Sequence, residues 1–225
     1  MLKIDEKNMK KYVLVAMLGA FCLGANAQSK SRFSIGPNAG VGSTWVDNIP
    51  NKQFKTHGNF GLSMVFSAVP TFGIGADVKY SFEGSRNEGS GAGIMTDTVR
   101  NLDYLRVPIK AIFFLGKQGS RMRPKISVGP SLGYLVGGKT TTTVKESNGN
   151  LLNEKIVASK DLYNRFDVGV QGAAGFHYRL VQSTWLVADV AYYHGLRDIA
   201  ENTASNPSSL KNRNLGINLG VNFGL

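Results

Sequence analysis

Residues 214–225, NLGINLGVNFGL, decide the fold class. Large apolar residues occupy every odd position, and Asn or Gly occupies every even position. This strict period of two predicts a β-strand with one apolar face and one small polar face. A strand of a soluble sandwich would carry Lys, Glu or Thr on its wet side, whereas Asn and Gly fit a narrow, crowded lumen. The pattern is typical of a transmembrane β-barrel whose apolar face contacts lipid.

The same stretch is expected to be the last strand of the barrel and to close against the first one. Four of its outward residues form the expected closing-strand signal: Leu219, Val221, Phe223 and Leu225. A soluble, lipocalin-like barrel is the rival fold, and it would turn these apolar faces inward.

Seven other stretches show a similar alternation of apolar and polar residues, least cleanly at residues 102–115 and 185–196. With the last stretch, the predicted strands cover residues 32–45, 59–69, 72–83, 102–115, 123–136, 164–179, 185–196 and 214–225. Each has about ten residues or more, which a tilted membrane strand requires. Pro108 cannot donate a ladder hydrogen bond, so we expect a bulge or bend near it.

The connections between the predicted strands alternate in length. Long polar loops are predicted at residues 47–56, 84–101 and 138–163, and short turns at residues 70–71 and 181–183. An eight-stranded antiparallel up-and-down transmembrane β-barrel explains this order, because bacterial barrels have short periplasmic turns and longer extracellular loops. We therefore expect a protein integral to the bacterial outer membrane, with both termini in the periplasm.

The N-terminal segment has the three parts of a secretory signal peptide. Lys10 and Lys11 precede an apolar block at residues 12–23, and residues 25–27, Ala-Asn-Ala, offer a cleavage site. We expect residues 1–27 to be removed and residues 28–225 to form the barrel domain. Cys22 lies in the removed segment, so no disulfide is expected in the mature chain.

The chain is basic, with 26 Lys and Arg, 15 Asp and Glu, and a formal net charge of +11. For an exported protein, anionic lipid and lipopolysaccharide are the expected partners of such a surface, and nucleic acid is not. No run approaches the ~20 apolar residues of a membrane-spanning helix.

Four segments resemble the PorT-like family of outer-membrane β-barrels. They are YLRVPIKAIFF at residues 104–114, VGPSLGYL at 128–135, FDVGVQGAAGFHY at 166–178 and YYHGLRDI at 192–199. The resemblance implies an eight-stranded barrel that is assembled by the barrel-assembly machinery, and some family members belong to a protein-secretion apparatus. Such barrels usually end on an aromatic residue, whereas this chain ends Phe223-Gly224-Leu225. Two alternatives follow: weaker recognition by the barrel-assembly machinery, or Phe223 serving as the signal.

Charged residues on the inward faces of the predicted strands are the candidate functional residues. They are Asp77, Lys79, Glu83, Arg106, Lys110, Arg165, Asp167, Arg179 and Asp189. Buried charges have to be paired, and an eight-stranded lumen is just wide enough for side chains to fill it. We expect an ion network that plugs the barrel, with Asp77 paired to Lys110. A selective pore is the alternative interpretation.

A phosphate-binding loop is a weaker hypothesis. Residues 133–140, GYLVGGKT, match the GxxxxGK[ST] pattern, which binds phosphate only as a loop between a strand and a helix. Here the match lies on a predicted strand, and residues 141–144 continue as β-formers. We therefore expect no nucleotide and no other cofactor.

Catalysis and metal binding have little support in the sequence. His57, His177 and His194 are not spaced as metal ligands. His194 is expected near the rim, where outer-leaflet lipid-modifying enzymes place catalytic groups, but the sequence locates no partner for it. We expect a structural or interaction protein rather than an enzyme, acting through its loops or in a partner complex such as a secretion apparatus. A small channel and a lipid-modifying enzyme are the alternatives.

Overall fold

The computed structural model describes residues 32–117, 119–200 and 209–225, and within them eleven β-strands and one 3-10 helix, Ser159–Asp161. Eight long strands form the body of the protein: β1 (Phe33–Val46), β3 (Lys55–Val69), β4 (Phe72–Gly91), β5 (Ile94–Phe114), β6 (Met122–Gly137), β9 (Phe166–Val181), β10 (Thr184–Gly195) and β11 (Asn212–Gly224). Three shorter strands lie between them: β2 (Lys52–Gln53), β7 (Lys139–Glu146) and β8 (Leu151–Ala158). The expected signal segment, residues 1–27, lies outside the described residues.

The eight long strands close into an antiparallel up-and-down barrel. Each pairs with its neighbour along the chain, apart from the inserted short strands. The closing pair joins β11 to β1, with Ile217 opposite Val41. The predicted fold class is therefore confirmed, and residues 214–225 lie at the seam as expected.

The period-two pattern separates two environments. On β11, Ile217 and Leu219 are 56% and 57% exposed and point away from the barrel, whereas Asn222 is 1% exposed and faces the lumen. The other barrel strands also carry exposed large apolar side chains on their outer face. Such a continuous apolar surface requires a lipid environment, since water would make it a site of aggregation.

The short connections define one end of the barrel, which we call the turn end. Strand β3 stops at Val69 and β4 starts at Phe72, so residues 70–71 form the predicted tight turn. The connections β5–β6 and β9–β10 lie at the same end. The opposite end, where the longer connections lie, is the loop end.

The prediction of irregular loops is wrong for two segments, because most of their residues form paired strands. Residues 84–101 continue β4 and β5 to a two-residue turn at Ala92 and Gly93, whose φ angles of 50° and 78° suit a hairpin. Residues 138–163 contain β7 and β8, with β7 paired to the distal part of β5. Together with β2, which pairs with β4, these strands form a projecting sheet beyond the barrel.

The registers of β5 show no bulge at Pro108. The β5 residues on either side of Pro108 keep one register with both β4 and β6. The register shift on β5 lies between Asp103 and Tyr104. The expected bulge is therefore displaced from Pro108 toward the loop end, and the bend stays a prediction.

Candidate functional site

The lumen holds a first cluster of charges near the loop end, centred on Arg106 of β5. Arg106 Nη2 lies 2.6 Å from Glu83 Oε2 and 2.7 Å from Asp167 Oδ2, so one guanidinium bridges carboxylates of β4 and β9. Glu83 also accepts hydrogen bonds from Asn212 and, at 2.8 Å, from Ser81. We call this group the loop-end cluster. Charge-assisted bonds to two carboxylates are what a buried guanidinium requires.

Aromatic side chains cover the same guanidinium. Arg106 Cζ lies 3.9 Å from the ring centre of Tyr193 and 4.8 Å from that of Tyr104. Gly169 makes room for this stack, because a Cβ there would lie 2.6 Å from the Tyr193 hydroxyl oxygen. The rings exclude water and add cation–π attraction, so the cluster also blocks the lumen sterically.

A second cluster lies in the lumen toward the turn end. Asp77 Oδ2 is 2.7 Å from Lys110 Nζ and 3.3 Å from Lys79 Nζ. Lys125 Nζ of β6 lies 2.9 Å from Asp189 of β10. We call these five residues the turn-end cluster. It connects β4, β5, β6 and β10 through side chains that the barrel wall shields from solvent.

The lumen charges balance and leave little free space. The two clusters contain four carboxylates and four cations: Glu83, Asp167, Asp77 and Asp189, with Arg106, Lys79, Lys110 and Lys125. Two small cavities of about 20 Å³ each lie in the described lumen, one between the clusters beside Arg106 and Lys79 and one beside the turn-end cluster and His177. Each of these cavities holds about one water molecule, so the side chains of the two clusters leave little room around them.

Two predicted lumen residues lie elsewhere. Arg165 is exposed, because β9 begins at Phe166 and the strand alternation does not reach it. Arg179 lies at the turn end, where its guanidinium donates to Gly119 O at 2.6 Å and stands 5.6 Å from the Trp185 ring centre. The other seven predicted charges belong to the two clusters.

The lumen and its rim also contain residues that are not among the predicted ones. Lys125 lies one residue before the outward Ile126, so its parity alone indicates an inward side chain. Tyr193 has no clear signal because both faces of the predicted strand 185–196 mix apolar and polar residues. The ion pair between Arg213 Nε and Asp47 Oδ2, at 3.0 Å, joins β11 to the connection after β1 and has no signal in the sequence.

The rim of the loop end is charged as well. Asp47 pairs with Lys52 at 2.8 Å in addition to Arg213. Partial burial raises the pKa of Asp47, but the hydrogen bond from Lys52 and the charge of Arg213 outweigh that effect, and the pKa lies below its usual value. Asp47 therefore stays ionised.

The three histidines occupy separate places. His57 lies buried in the lumen near the Phe82 carbonyl oxygen, and His177 is buried between Phe114 and Trp185. His194 is exposed, and its Nδ1 lies 3.3 Å from the Tyr192 hydroxyl. Within the described segments, His, Cys, Asp and Glu side chains form no group of three that could hold a metal ion.

The residues that match the nucleotide-binding pattern lie in two β-strands. Residues 133–140 run through the end of β6 into β7, and Gly138 between them has a φ of 106°. A phosphate-binding loop would need a helix to follow. The stretch connects the barrel to the projecting sheet instead.

The sequence matches a family profile described as "outer membrane protein beta-barrel domain" over residues 26–201. The chain belongs to this family. It is an integral outer-membrane β-barrel protein, which accounts for the apolar outer surface. Among the described residues, no helix has the length and apolarity needed to cross a membrane.

Similar solved structures include three outer-membrane proteins. Neisserial surface protein A is 13% identical, with 87% of this chain and 98% of that chain covered and a TM-score of 0.47. OprG of Pseudomonas aeruginosa is 12% identical, with 86% and 95% covered and a TM-score of 0.45. Outer membrane protein W of E. coli is 12% identical, with 88% and 100% covered and a TM-score of 0.43. No curated protein matches significantly.

Proposed function

We propose that the protein is a closed barrel that works as a structural or interaction protein through its projecting sheet. The observation that carries this proposal is the crowded lumen, in which the paired charges of the two clusters line cavities of only about 20 Å³. A pore needs a continuous path, which the stack of Tyr104, Arg106 and Tyr193 interrupts. The barrel then serves to anchor the elements at its loop end.

The projecting sheet supplies the surface that this function requires. Strand β8 lies at the edge of the sheet order, and it exposes Leu151, Leu152 and Ile156 by 50–60%. Backbone groups of an edge strand and exposed apolar side chains both favour contact with another protein. The partner we favour is a component of a protein-secretion apparatus, in keeping with the PorT-like segments of the sequence.

The proposal includes a topology. Short turns at residues 70–71 and 182–183 would face the periplasm, together with both termini, and the projecting sheet would lie outside the cell. Residues 1–27 would serve as the signal peptide for export, and the barrel-assembly machinery would insert the strands.

The proposed role is structural and not enzymatic. A lipid-modifying enzyme requires a nucleophile activated by a base and an orienting acid. His194 at the rim contacts Tyr192, which is neither a Ser nucleophile nor an acid. The charged side chains of the lumen form ion pairs with one another. The barrel wall separates them from any lipid substrate.

Conductance and site-specific cross-linking together test the proposal. In planar bilayers, the parent protein should show no single-channel steps, and a photo-cross-linker at Ser147 in native membranes should capture a protein partner. A cross-linker at Thr71 is the matched control and should not capture that partner. Regular conductance steps from the parent would overturn the closed barrel. Equal capture from Ser147 and Thr71 would overturn the role of the projecting sheet.

A further inference from the structure

The charges of the lumen balance over the whole barrel but not within each cluster. The loop-end cluster pairs one guanidinium with two carboxylates, whereas the turn-end cluster pairs three lysines with two carboxylates. Neutral donors compensate the extra carboxylate at the loop end, where Ser81 and Asn212 both donate to Glu83. The extra ammonium group of the turn-end cluster has to be compensated in another way, because an unpaired buried charge is costly.

The three lysines of the turn-end cluster are buried and close together. Lys79, Lys110 and Lys125 are 4–8% exposed. Lys79 Nζ and Lys110 Nζ lie 3.3 Å and 2.7 Å from the same oxygen, Asp77 Oδ2, so these two ammonium groups are neighbours. Lys125 is paired with Asp189. Among the described residues, no third carboxylate forms an ion pair with any of the three lysines, so one positive charge is in excess.

The cavity of about 20 Å³ beside the turn-end cluster adjoins all of these charges. Besides the three lysines and the two carboxylates, its wall includes Asn222 of β11 and His177 of β9. Asn222 is 1% exposed, and neither atom of its amide group has a hydrogen-bond partner among the described residues. His177 Nε2 is also buried, with no partner in the described part of the chain. Buried polar atoms of this kind require a bound water or ion.

We propose that this cavity binds one halide ion, with chloride as the natural ligand. The volume suits about one water molecule, which excludes a polyatomic anion such as phosphate by size. A water molecule would accept hydrogen bonds there but would leave the excess positive charge. A halide accepts hydrogen bonds from the ammonium groups and from the Asn222 amide, and it also neutralises that charge. The two carboxylates of the wall do not oppose it, because each is already paired with a lysine.

Urea unfolding in lipid vesicles tests the site. Sodium chloride is exchanged for sodium gluconate at constant total sodium, so that only the anion changes, and gluconate is too large for the cavity. If one chloride binds to the folded state alone, the unfolding equilibrium constant of the parent should fall by up to about tenfold for each tenfold rise in chloride concentration. A bound water, or a lysine that has lost its proton, predicts no dependence on chloride.

Two substitutions should abolish the dependence on chloride. Lys79→Met removes the excess ammonium group, and Asn222→Asp supplies the missing negative charge on the cavity wall. Each variant should therefore have the same unfolding equilibrium constant at every chloride concentration. Lys155→Met is the matched control, because it removes an exposed lysine of the projecting sheet and should keep the dependence of the parent. If Lys79→Met does not fold, Asn222→Asp still decides the question.

Crystals grown in sodium bromide locate the ion directly, because bromide gives an anomalous diffraction signal. The parent should show an anomalous peak in the cavity near Lys79 and Lys110, and Asn222→Asp should show none there. The site is overturned if the stability of the parent does not depend on chloride, or if Asn222→Asp keeps the dependence seen in Lys155→Met. A peak without chloride dependence would mark an adventitious ion only and would overturn it too. Conductance and cross-linking at Ser147 do not depend on this cavity, so this inference and the proposed function fail separately.

Discussion

Lys110 Nζ lies 2.7 Å from Asp77 Oδ2, although Lys110 faces Gly75 across the β4–β5 ladder and not Asp77. The contact is diagonal, as long side chains on one face of a sheet permit. Lys79 Nζ approaches the same carboxylate oxygen to 3.3 Å. Two buried ammonium groups therefore share one carboxylate. Loss of Asp77 would leave two charges unpaired, whereas loss of either lysine would leave Asp77 with one partner.

Asp77→Ala should be the most damaging single change in the turn-end cluster. It leaves Lys79 and Lys110 buried beside each other and should lower the free energy of unfolding by about 3–5 kcal/mol. Lys110→Met should cost less, because Lys79 still neutralises Asp77. D77A/K110M should recover part of the loss. Urea unfolding in lipid vesicles measures the double-mutant cycle, and strictly additive losses would mean that the pair is not coupled.

Substitutions on β11 should distinguish its two faces. Leu219 is exposed to lipid, so Leu219→Arg should cost about 2–4 kcal/mol if the residue lies near the bilayer midplane. Asn218→Ser should be mild, because it removes one lumen hydrogen bond, at 3.1 Å from Asn59. Heat-modified gel mobility monitors folding. Equal mobility of the two variants would contradict the assignment of Leu219 to the lipid face and Asn218 to the lumen.

Cysteine labelling should reveal the topology. Ser90 and Ser147 are exposed in the projecting sheet, and Thr71 is exposed at the turn end. An impermeant thiol reagent on intact cells should label Ser90→Cys and Ser147→Cys but not Thr71→Cys. The parent chain, whose one cysteine is Cys22, gives the background. Labelling at position 71 without labelling at position 147 would show that the proposed orientation of the barrel is reversed.

Two glycines should respond in opposite ways to alanine. A Cβ at Gly61 would overlap the Val78 carbonyl oxygen of the adjacent strand, whereas a Cβ at Gly89 meets nothing within 4 Å. Gly61→Ala should destabilise the barrel by more than 1 kcal/mol on the scale of about 1–3 kcal/mol for overpacking. Gly89→Ala should be neutral or stabilising by about 0.4–1 kcal/mol. Urea unfolding compares them, and equal stabilities would contradict the close strand approach at Gly61.

The barrel itself could be predicted because lipid imposes a simple pattern. Every lipid-facing residue has to be apolar, so the alternation along residues 214–225 marked both the strand and its faces. The same parity brought Asp77, Glu83 and Arg106 into the lumen. Parity assigns a face but not a partner, which is why the pairing of Lys125 with Asp189 was missed.

The projecting sheet could not be predicted in the same way. Beyond the membrane neither face of β4 or β5 contacts lipid, so the alternation of apolar and polar residues is lost there. The sequence is rich in Gly, Ser and Asn instead and has the composition of a loop. Thr141 to Val144 have a preference for strands, but nothing local indicates that this stretch pairs with the distal part of β5. Arg165 lies outside the lumen because β9 begins at Phe166, two residues after the predicted start of the strand at residue 164.

Strands β4 and β5 pass from the turn end of the barrel to the tip at Ala92 without a break, over 20 and 21 residues. At about 3.3 Å per residue each is a rod of roughly 65 Å. A pull on the tip would act along both strands and would shear the ladder bonds that join β4 to β3 and β5 to β6, which stand perpendicular to the strands. Many bonds would share that load at once. The β4–β5 hairpin should therefore resist extension by a force applied at its tip.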